Sequence, residues 1–196
     1  MTDFKRLFDA LRKGGVEYIL IGGVAATIHG SSRLTQDVDI CYARTDANLD
    51  RIVRALRPLK PYLRGAPRGL PFEWSARTLR SGLNFTLTTT VGDIDLLGEV
   101  TGGGSYDDLI GHTIDVVLFS HQTKCLDLEW LIVTKRAAGR PRDLEAIAEL
   151  EALREESENH ERVGRSERTA GEPRSHARGT FDSGIKTKRS TDTRID

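Results

Sequence analysis

The stretch of the chain that decides the fold reads YILIGGVAATIHGSSRLTQDVDI, at residues 18–40. It begins with an apolar run, Tyr18 to Ile21, which predicts a buried strand. Gly22 and Gly23 follow directly, and a glycine pair lets the backbone turn tightly from a strand into a short helix whose N-terminal amides can face an anion. We therefore expect a strand, a tight turn and a phosphate-facing helix in this order.

Two carboxylates close the same stretch. Asp37 and Asp39 alternate with Val38 and Ile40, and a strand places such alternating residues on opposite faces. Both carboxylates then share one face, and the apolar side chains share the other. Mg²⁺ takes one or two protein carboxylates and completes its octahedron with water and substrate phosphates. This strand is therefore a candidate metal-binding strand.

A second acidic segment repeats the spacing farther along the chain. Asp93 and Asp95 alternate with apolar residues within residues 92–98, and the β-branched, alternating residues 84–90 precede them. The two segments predict a hairpin. If the hairpin lies beside the strand of Asp37, three carboxylates meet, and a cation is needed to keep such a set ionised. Asp93 has an alternative role, because an aspartate at that position also favours the turn itself.

These motifs together resemble those of the DNA polymerase β-type nucleotidyltransferase superfamily. The shared pattern is a glycine pair, a gap of thirteen residues, Asp-apolar-Asp-apolar, and a later apolar-Asp-apolar. Gly22 and Gly23 match its first motif, Asp37 and Asp39 match its metal-binding pair, and Asp95 matches its third carboxylate. Many superfamily members have Gly-Ser at the first motif, so in this chain backbone amides must contact the phosphate without a serine hydroxyl.

Within the superfamily, the chain is most similar to small bacterial nucleotidyltransferases of the AbiEii toxin and related antitoxin-system kind. The supporting segments are GGVAA at 22–26, HG at 29–30, RLT at 33–35 and KRAAGRPRDL at 135–144. The resemblance spans about Tyr18 to Leu153. It implies an α/β (α+β) fold in which helices back a mixed, mostly antiparallel sheet.

The resemblance also implies an activity, the transfer of NMP from an NTP such as ATP to an acceptor hydroxyl, with release of pyrophosphate. Two Mg²⁺ ions would serve as cofactors. The implied catalytic and metal-binding residues are Asp37, Asp39 and Asp95, and the nucleotide-binding residues are Gly22, Gly23, Arg33 and Lys135. Arg33 and Lys135 have an alternative role, because each could instead be a solvated charge on the protein surface.

The acceptor is left open by the sequence. Resemblance to toxin-type members implies an RNA acceptor such as a tRNA 3′ end, and a cognate antitoxin or toxin protein as partner. A small-molecule acceptor is the alternative, because aminoglycoside nucleotidyltransferases have a similar glycine pair and Asp-x-Asp layout. A non-catalytic antitoxin or binding module that keeps the fold is a third. An acidic cleft would favour a cationic drug as acceptor, and a blocked pocket would favour the binding module. A basic patch would favour RNA, and the arginines that could form it are Arg64, Arg68, Arg77 and Arg80.

Length and composition agree with a small cytoplasmic enzyme. The 196 residues contain 29 basic and 29 acidic side chains, so the overall charge favours no polyanionic partner. The two cysteines, Cys41 and Cys125, are far apart in sequence and are compatible with a reducing compartment. No apolar stretch approaches a membrane span, and the first residues do not resemble a signal peptide. We expect a cytoplasmic protein without a membrane partner.

The chain is expected to divide into a nucleotidyltransferase domain, residues 1–154, and a charged tail, residues 155–196. The tail has nine acids and nine bases but few large apolar residues, so disorder is expected there. Within the domain, three prolines predict a loop over Pro61–Pro71, and the last helix is expected over Arg142–Arg154. Asp143 is expected to buttress that helix through an ion pair with Arg140 or Lys135.

Overall fold

The computed structural model describes residues 1–67 and 69–170. The strands in chain order are β1 (Tyr18–Ile21), β2 (Asp37–Tyr42), β3 (Tyr62–Leu63), β4 (Asn84–Thr89), β5 (Gly92–Leu97), β6 (Glu99–Val100), β7 (Gly104–Ser105), β8 (Thr113–Leu118) and β9 (His121–Leu126). The helices are α1 (Phe4–Lys13), α2 (Gly22–Ile28), α3 (Asp46–Leu56), α4 (Ala76–Ser81), α5 (Tyr106–Leu109), α6 (Leu128–Ala138) and α7 (Pro141–Ala170).

Seven of the strands form one mixed sheet, in the order β3-β4-β5-β2-β1-β9-β8. The pairs β1–β2, β3–β4, β4–β5 and β8–β9 are antiparallel, whereas β1–β9 and β2–β5 are parallel. β6 and β7 form a separate two-stranded ribbon. The expected α/β fold with a mixed, mostly antiparallel sheet is confirmed.

The central strands have one apolar face and one acidic face. Val38 and Ile40 of β2 and Ile94 and Leu96 of β5 are completely buried, and they join one hydrophobic core with apolar residues of α1 and α3. Since the side chains of a strand alternate, the carboxylates between these residues lie on the opposite face. Burial of the apolar set therefore fixes which way the aspartates point.

The segment expected to be a loop over Pro61–Pro71 contains a strand. Tyr62 pairs with Thr88 and Leu63 with Leu87, so β3 forms one edge of the sheet. The expectation of an unbroken loop is wrong here, because a two-residue strand is too short to show an alternating pattern in sequence. β3 matters for the site because Arg64 follows it directly.

The last helix is longer than expected. α7 continues past Arg154 to Ala170, and Arg154 Nε lies 3.9 Å from Glu158 Oε1 one turn later. Charged pairs at this spacing favour a helix even where apolar residues are scarce. One compact unit comprises Met1–His160, and a second begins at Glu161. The expected boundary between residues 154 and 155 falls inside α7 and stays a prediction, and the expected disorder over 171–196 concerns residues outside the described ones.

Within the described part of the chain, none of the helices has both the length and the apolar character needed to cross a membrane.

Candidate active site

Three aspartates of β2 and β5 come together on the acidic face of the sheet. The two strands are parallel neighbours, with Asp37 opposite Asp93 and Asp39 opposite Asp95. One carboxylate oxygen from each of Asp37, Asp39 and Asp95 lies within 4.8 Å of the other two. The β4–β5 hairpin therefore lies beside β2, as the sequence analysis required for a three-carboxylate cluster. We call these three residues the carboxylate cluster.

The glycine pair lies directly against this cluster. Gly22 has a φ of +67°, and a Cβ at this position would overlap the Asp39 carboxylate. The backbone N–H of Gly23 points to Asp39 Oδ2 at 3.4 Å, which is a long hydrogen bond. Only glycine combines this backbone conformation with such a close approach. The expected tight turn into α2 is present, and α2 begins at Gly22.

Asp39 is the most perturbed carboxylate of the cluster. Burial raises its pKa to about 6, and repulsion from Asp37 and Asp95 acts in the same direction. The Gly23 amide and the positive charge of Lys135 oppose this rise only in part. Within the described residues, Asp39 has no salt bridge. A bound cation would supply the missing positive charge and favour the ionised form.

Arg64 inserts its guanidinium among the aspartates from the strand edge. Nη2 donates to Asp95 Oδ1 at 2.8 Å, and Nη1 donates to Asp37 Oδ2 at 3.3 Å. Nε lies 3.1 Å from Asp93 Oδ2, but its N–H is not aimed for a hydrogen bond. Arg64 thus bridges two members of the carboxylate cluster, and it also contacts Asp93 outside it.

This role of Arg64 was missed in the sequence. The sequence predicts only that Arg64 belongs to a group of four arginines that could form a basic patch for RNA. In the structure Arg64 is paired inside the acidic site, Arg80 is paired with Asp46 at 2.7 Å, and Arg68 lies outside the described residues. Arg64 is therefore neutralised inside the acidic site, whereas the ion pair of Arg80 is exposed to solvent. No local sequence signal marks Arg64, because its partners lie 27 to 31 residues away.

The pKa of Asp95 is also raised, chiefly by burial. The positive charge of Arg64 acts against that rise, whereas the negative charges of Asp37 and Asp93 reinforce it. A carboxylate with a raised pKa is a better proton acceptor than an ordinary surface aspartate. Asp95 could therefore accept a proton as well as bind a metal ion.

The loop before β2 is held in place by α7. The Glu149 carboxylate accepts hydrogen bonds from Ser31 Oγ at 2.9 Å and from Ser32 N at 2.8 Å. Arg33 contacts the same carboxylate at 3.3 Å and donates to Glu145 Oε2 at 3.0 Å. Arg33 is thus neither a free surface charge nor a free phosphate ligand, and its expected role in nucleotide binding stays a prediction.

On the helix side, a buried aspartate holds two cations. Asp143, which is 2% exposed, accepts a hydrogen bond from Arg140 Nε at 2.6 Å, and Lys135 Nζ lies 3.6 Å away. The expected ion pair of Asp143 is confirmed for both candidate partners. Lys135 is mostly buried, so its ammonium is confined to the cleft rather than solvated on the helix surface.

Two cavities open on either side of Asp39. The first, of about 190 Å³, is lined by Gly22, Gly23, Ala26, Ser31, Arg33, Leu34, Thr35, Asp37, Asp39, Lys135, Arg140, Asp143 and Ala146. The second, of about 300 Å³, is lined by Ile21, Gly22, Asp39, Asp95, Leu97, Val100, Thr101, Leu131, Thr134, Lys135, Ala138 and Arg140. Both cavities are bordered by Gly22, Asp39, Lys135 and Arg140. We call them the glycine-side cavity and the Asp95-side cavity.

The donor set suits a hard divalent cation. Three carboxylate oxygens converge, and open cavities adjoin them, which leaves room for water or substrate oxygens as further ligands. The nearby cations of Arg64 and Lys135 lower the net negative charge but do not replace oxygen ligands. The residues present therefore could bind a metal ion.

A known protein shares the fold. The crystal structure of the lincosamide antibiotic adenylyltransferase LnuA, bound to lincomycin, superposes with a TM-score of 0.51 and 15% sequence identity. The superposition covers 78% of this chain and 98% of LnuA. No protein-family model and no curated protein sequence matches this chain. At this identity the likeness concerns the fold alone, and it identifies the fold of this chain as that of the nucleotidyltransferases.

Proposed function

We propose that this protein is a metal-dependent nucleotidyltransferase that moves NMP from an NTP to a hydroxyl group of a small-molecule acceptor. The observation that carries the proposal is the carboxylate cluster, which lies between two cavities in a nucleotidyltransferase fold. A reaction between two substrates needs two adjoining binding spaces and a group that acts where they meet. Asp39 borders both cavities.

The nucleotide is assigned to the glycine-side cavity. Gly22 and Gly23 let the backbone approach a phosphate closely, and Lys135 and Arg140 place positive charge at the same wall. Positive groups in this position would stabilise the negative charge that develops on the leaving pyrophosphate. Arg33 borders the cavity as well, and it would act there after release from Glu145 and Glu149.

The acceptor is assigned to the Asp95-side cavity. Its wall combines apolar side chains such as Leu97, Val100 and Leu131 with the hydroxyls of Thr101 and Thr134. Such a lining suits a compact molecule with both apolar and hydroxyl-bearing parts. The Asp95 carboxylate would accept the proton of the attacking hydroxyl, and Asp39 would hold the reacting groups between the cavities.

The carboxylate cluster would hold the metal. Asp37 and Asp39 are its proposed ligands on the nucleotide side, and Asp95 completes the set on the acceptor side. Bound Mg²⁺, for which we propose two ions, supplies charge neutralisation of the triphosphate and acidifies the attacking hydroxyl.

The pairing of Arg64 and the fold likeness favour the small-molecule acceptor over RNA. Arg64 is paired inside the acidic site rather than available to phosphates, and the LnuA structure contains an antibiotic. The toxin-type resemblance instead implies a tRNA acceptor and a cognate antitoxin or toxin. Those partners, ATP as the NTP and a cytoplasmic location stay predictions.

The test is a transfer assay with a labelled panel of the four NTPs. Acceptors are presented in parallel: a lincosamide, an aminoglycoside and total tRNA, each with Mg²⁺ and with EDTA. Wild-type protein is compared with Asp39→Asn. We expect Mg²⁺-dependent labelling of a small molecule by the wild type alone. Labelling of tRNA alone would overturn the proposed acceptor, and absence of transfer in all arms would overturn the proposed activity.

A further inference from the structure

We infer that Arg64 is a resident counter-ion of the carboxylate cluster, which occupies the space between Asp37 and Asp95 and is displaced when a metal ion binds there. The inference rests on the proposed function, because it assumes that the cluster binds metal. It assigns a competing role to a side chain that follows a two-residue edge strand, far in sequence from every aspartate that it contacts.

The guanidinium of Arg64 lies where a metal ion bound by Asp37 and Asp95 would lie. The two terminal nitrogens of Arg64 lie 3.3 Å from Asp37 Oδ2 and 2.8 Å from Asp95 Oδ1. An ion bound by both carboxylates would need oxygens at about 2.0–2.1 Å if it were Mg²⁺. The guanidinium already takes these oxygens as hydrogen-bond acceptors. A metal ion and the guanidinium are both positive, so they cannot share this space at low energy.

Arg64 also has two partners outside the carboxylate cluster. Its Nη2 also donates to the backbone oxygen of Leu87 at 3.2 Å, and its Nε lies 3.1 Å from Asp93. Neither partner belongs to the carboxylate cluster. We expect these two contacts to hold the guanidinium at the edge of the site when Asp37 and Asp95 bind the metal ion. Asp93 thereby gains a role, as the acid that holds Arg64 after the metal has entered.

Arg64 also affects the stability of the protein without metal. Three converging carboxylates repel one another, and a guanidinium that bridges two of them reduces that repulsion. Arg64 is partly buried, with 27% of its side chain exposed, so solvent screens this pairing only in part. Arg64 should therefore stabilise the metal-free protein and weaken its affinity for free metal ions.

The experiment measures Mn²⁺ binding without nucleotide, by the loss of the free-ion EPR signal, and melting temperature in EDTA. Arg64→Met removes the charge and keeps an unbranched side chain, and Arg80→Met is the matched control because Arg80 pairs with a surface acid instead. We expect Arg64→Met to bind Mn²⁺ at least about tenfold more tightly than wild type and to melt at a lower temperature in EDTA. Arg80→Met should match the wild type in Mn²⁺ affinity.

A second variant covers the case in which Arg64→Met does not fold. Arg64→Lys keeps the charge but cannot bridge two carboxylates with a planar fork, so its Mn²⁺ affinity should lie above that of the wild type. Equal or weaker Mn²⁺ binding by the folded Arg64 variants would overturn the inference and leave the proposed function intact. If neither the wild type nor the variants bind Mn²⁺, even with a nonhydrolysable NTP present, the proposed function itself fails.

Discussion

The two sides of the carboxylate cluster carry positive charge in different ways. On the strand-edge side, Arg64 contacts Asp37 and Asp95 directly. On the helix side, Lys135 and Arg140 are held by Asp143 and face the cavities instead of pairing with the cluster. The first arrangement neutralises the aspartates, whereas the second keeps two cations oriented toward whatever enters the cavities.

The two aspartates of β2 differ in the partners that stabilise their charge. Asp37 has Arg64 and also the Thr35 hydroxyl, which donates to its Oδ1 at 3.1 Å. Among the described residues, Asp39, two residues later on the same strand face, has only the long hydrogen bond from Gly23, and burial and its acidic neighbours raise its pKa to about 6. A bound metal ion would therefore stabilise the ionised form of Asp39 most.

The largest effect is expected at this central position. Asp39→Asn removes the proposed metal ligand that borders both cavities, and transfer should fall by roughly 10³-fold or more. Its melting temperature in EDTA should be equal to or above that of the wild type, because a buried and repelled charge is removed. Activity close to the wild-type rate would contradict the metal assignment.

Two variants of β5 compare a member of the carboxylate cluster with a neighbouring aspartate outside it. Asp95→Asn should lower kcat by roughly 10²-fold, since the amide cannot accept the proton of the acceptor hydroxyl. Asp93→Asn changes a residue that contacts Arg64 but lies outside the cluster, and kcat should change by about tenfold or less. If Asp93→Asn is the more damaging variant, the roles assigned to the two residues are reversed.

A pair of glycines tests the close approach at Asp39. Gly22 and Gly15 both have positive φ, of +67° and +64°, but only at Gly22 would a Cβ meet a neighbour within 4 Å. Alanine at either position should cost about 1–2 kcal/mol of unfolding free energy for the backbone conformation. Only Gly22→Ala should also weaken Mn²⁺ binding and slow transfer, and equal transfer rates in the two variants would argue against the contact.

On the helix side, Asp143→Asn tests whether orientation of the cations matters. The amide can no longer hold both Lys135 and Arg140, so KM for the NTP should rise several-fold while kcat changes less. The unfolding free energy should fall by about 1–3 kcal/mol, because Arg140 is half-exposed and solvent compensates part of the loss. The control is Glu145→Gln on the same helix, for which the unfolding free energy should change by less than about 0.5 kcal/mol.

The smallest expected effect is a pH dependence of the metal-free protein. The pKa of Asp39 is near 6 when folded and about 3.9 when unfolded, so the folded state binds the proton more tightly. Stability from this residue is full below about pH 4 and is lost as pH rises to about 6. In EDTA, the melting temperature of the wild type should fall by a few degrees relative to Asp39→Asn over this range. Parallel melting curves for the two proteins would contradict the raised pKa.

The carboxylates can be predicted from the sequence because their spacing is local and periodic. The alternation around Asp37 and Asp95 predicts both which face they share and which face is buried, and the β2–β5 register then brings them together. The glycine pair was equally visible, since a tight turn requires it.

The missed parts depend on contacts between distant segments. Arg64 reaches the cluster only because β3 pairs with β4, and two residues carry no period. The anchoring of the loop at Ser31 by Glu149 joins residues 118 apart. Such contacts follow from the packing of α7 and the sheet edge, which no single-segment pattern predicts.

The most direct test of the central claim, that the carboxylate cluster is a metal centre beside a triphosphate site, is anomalous diffraction. Crystals of the wild type would be grown with Mn²⁺ and a nonhydrolysable NTP. We expect a manganese peak bound by Asp37 and Asp39, with the triphosphate in the glycine-side cavity. Nucleotide bound elsewhere, or a cluster that stays paired with Arg64 and holds no manganese, would contradict it.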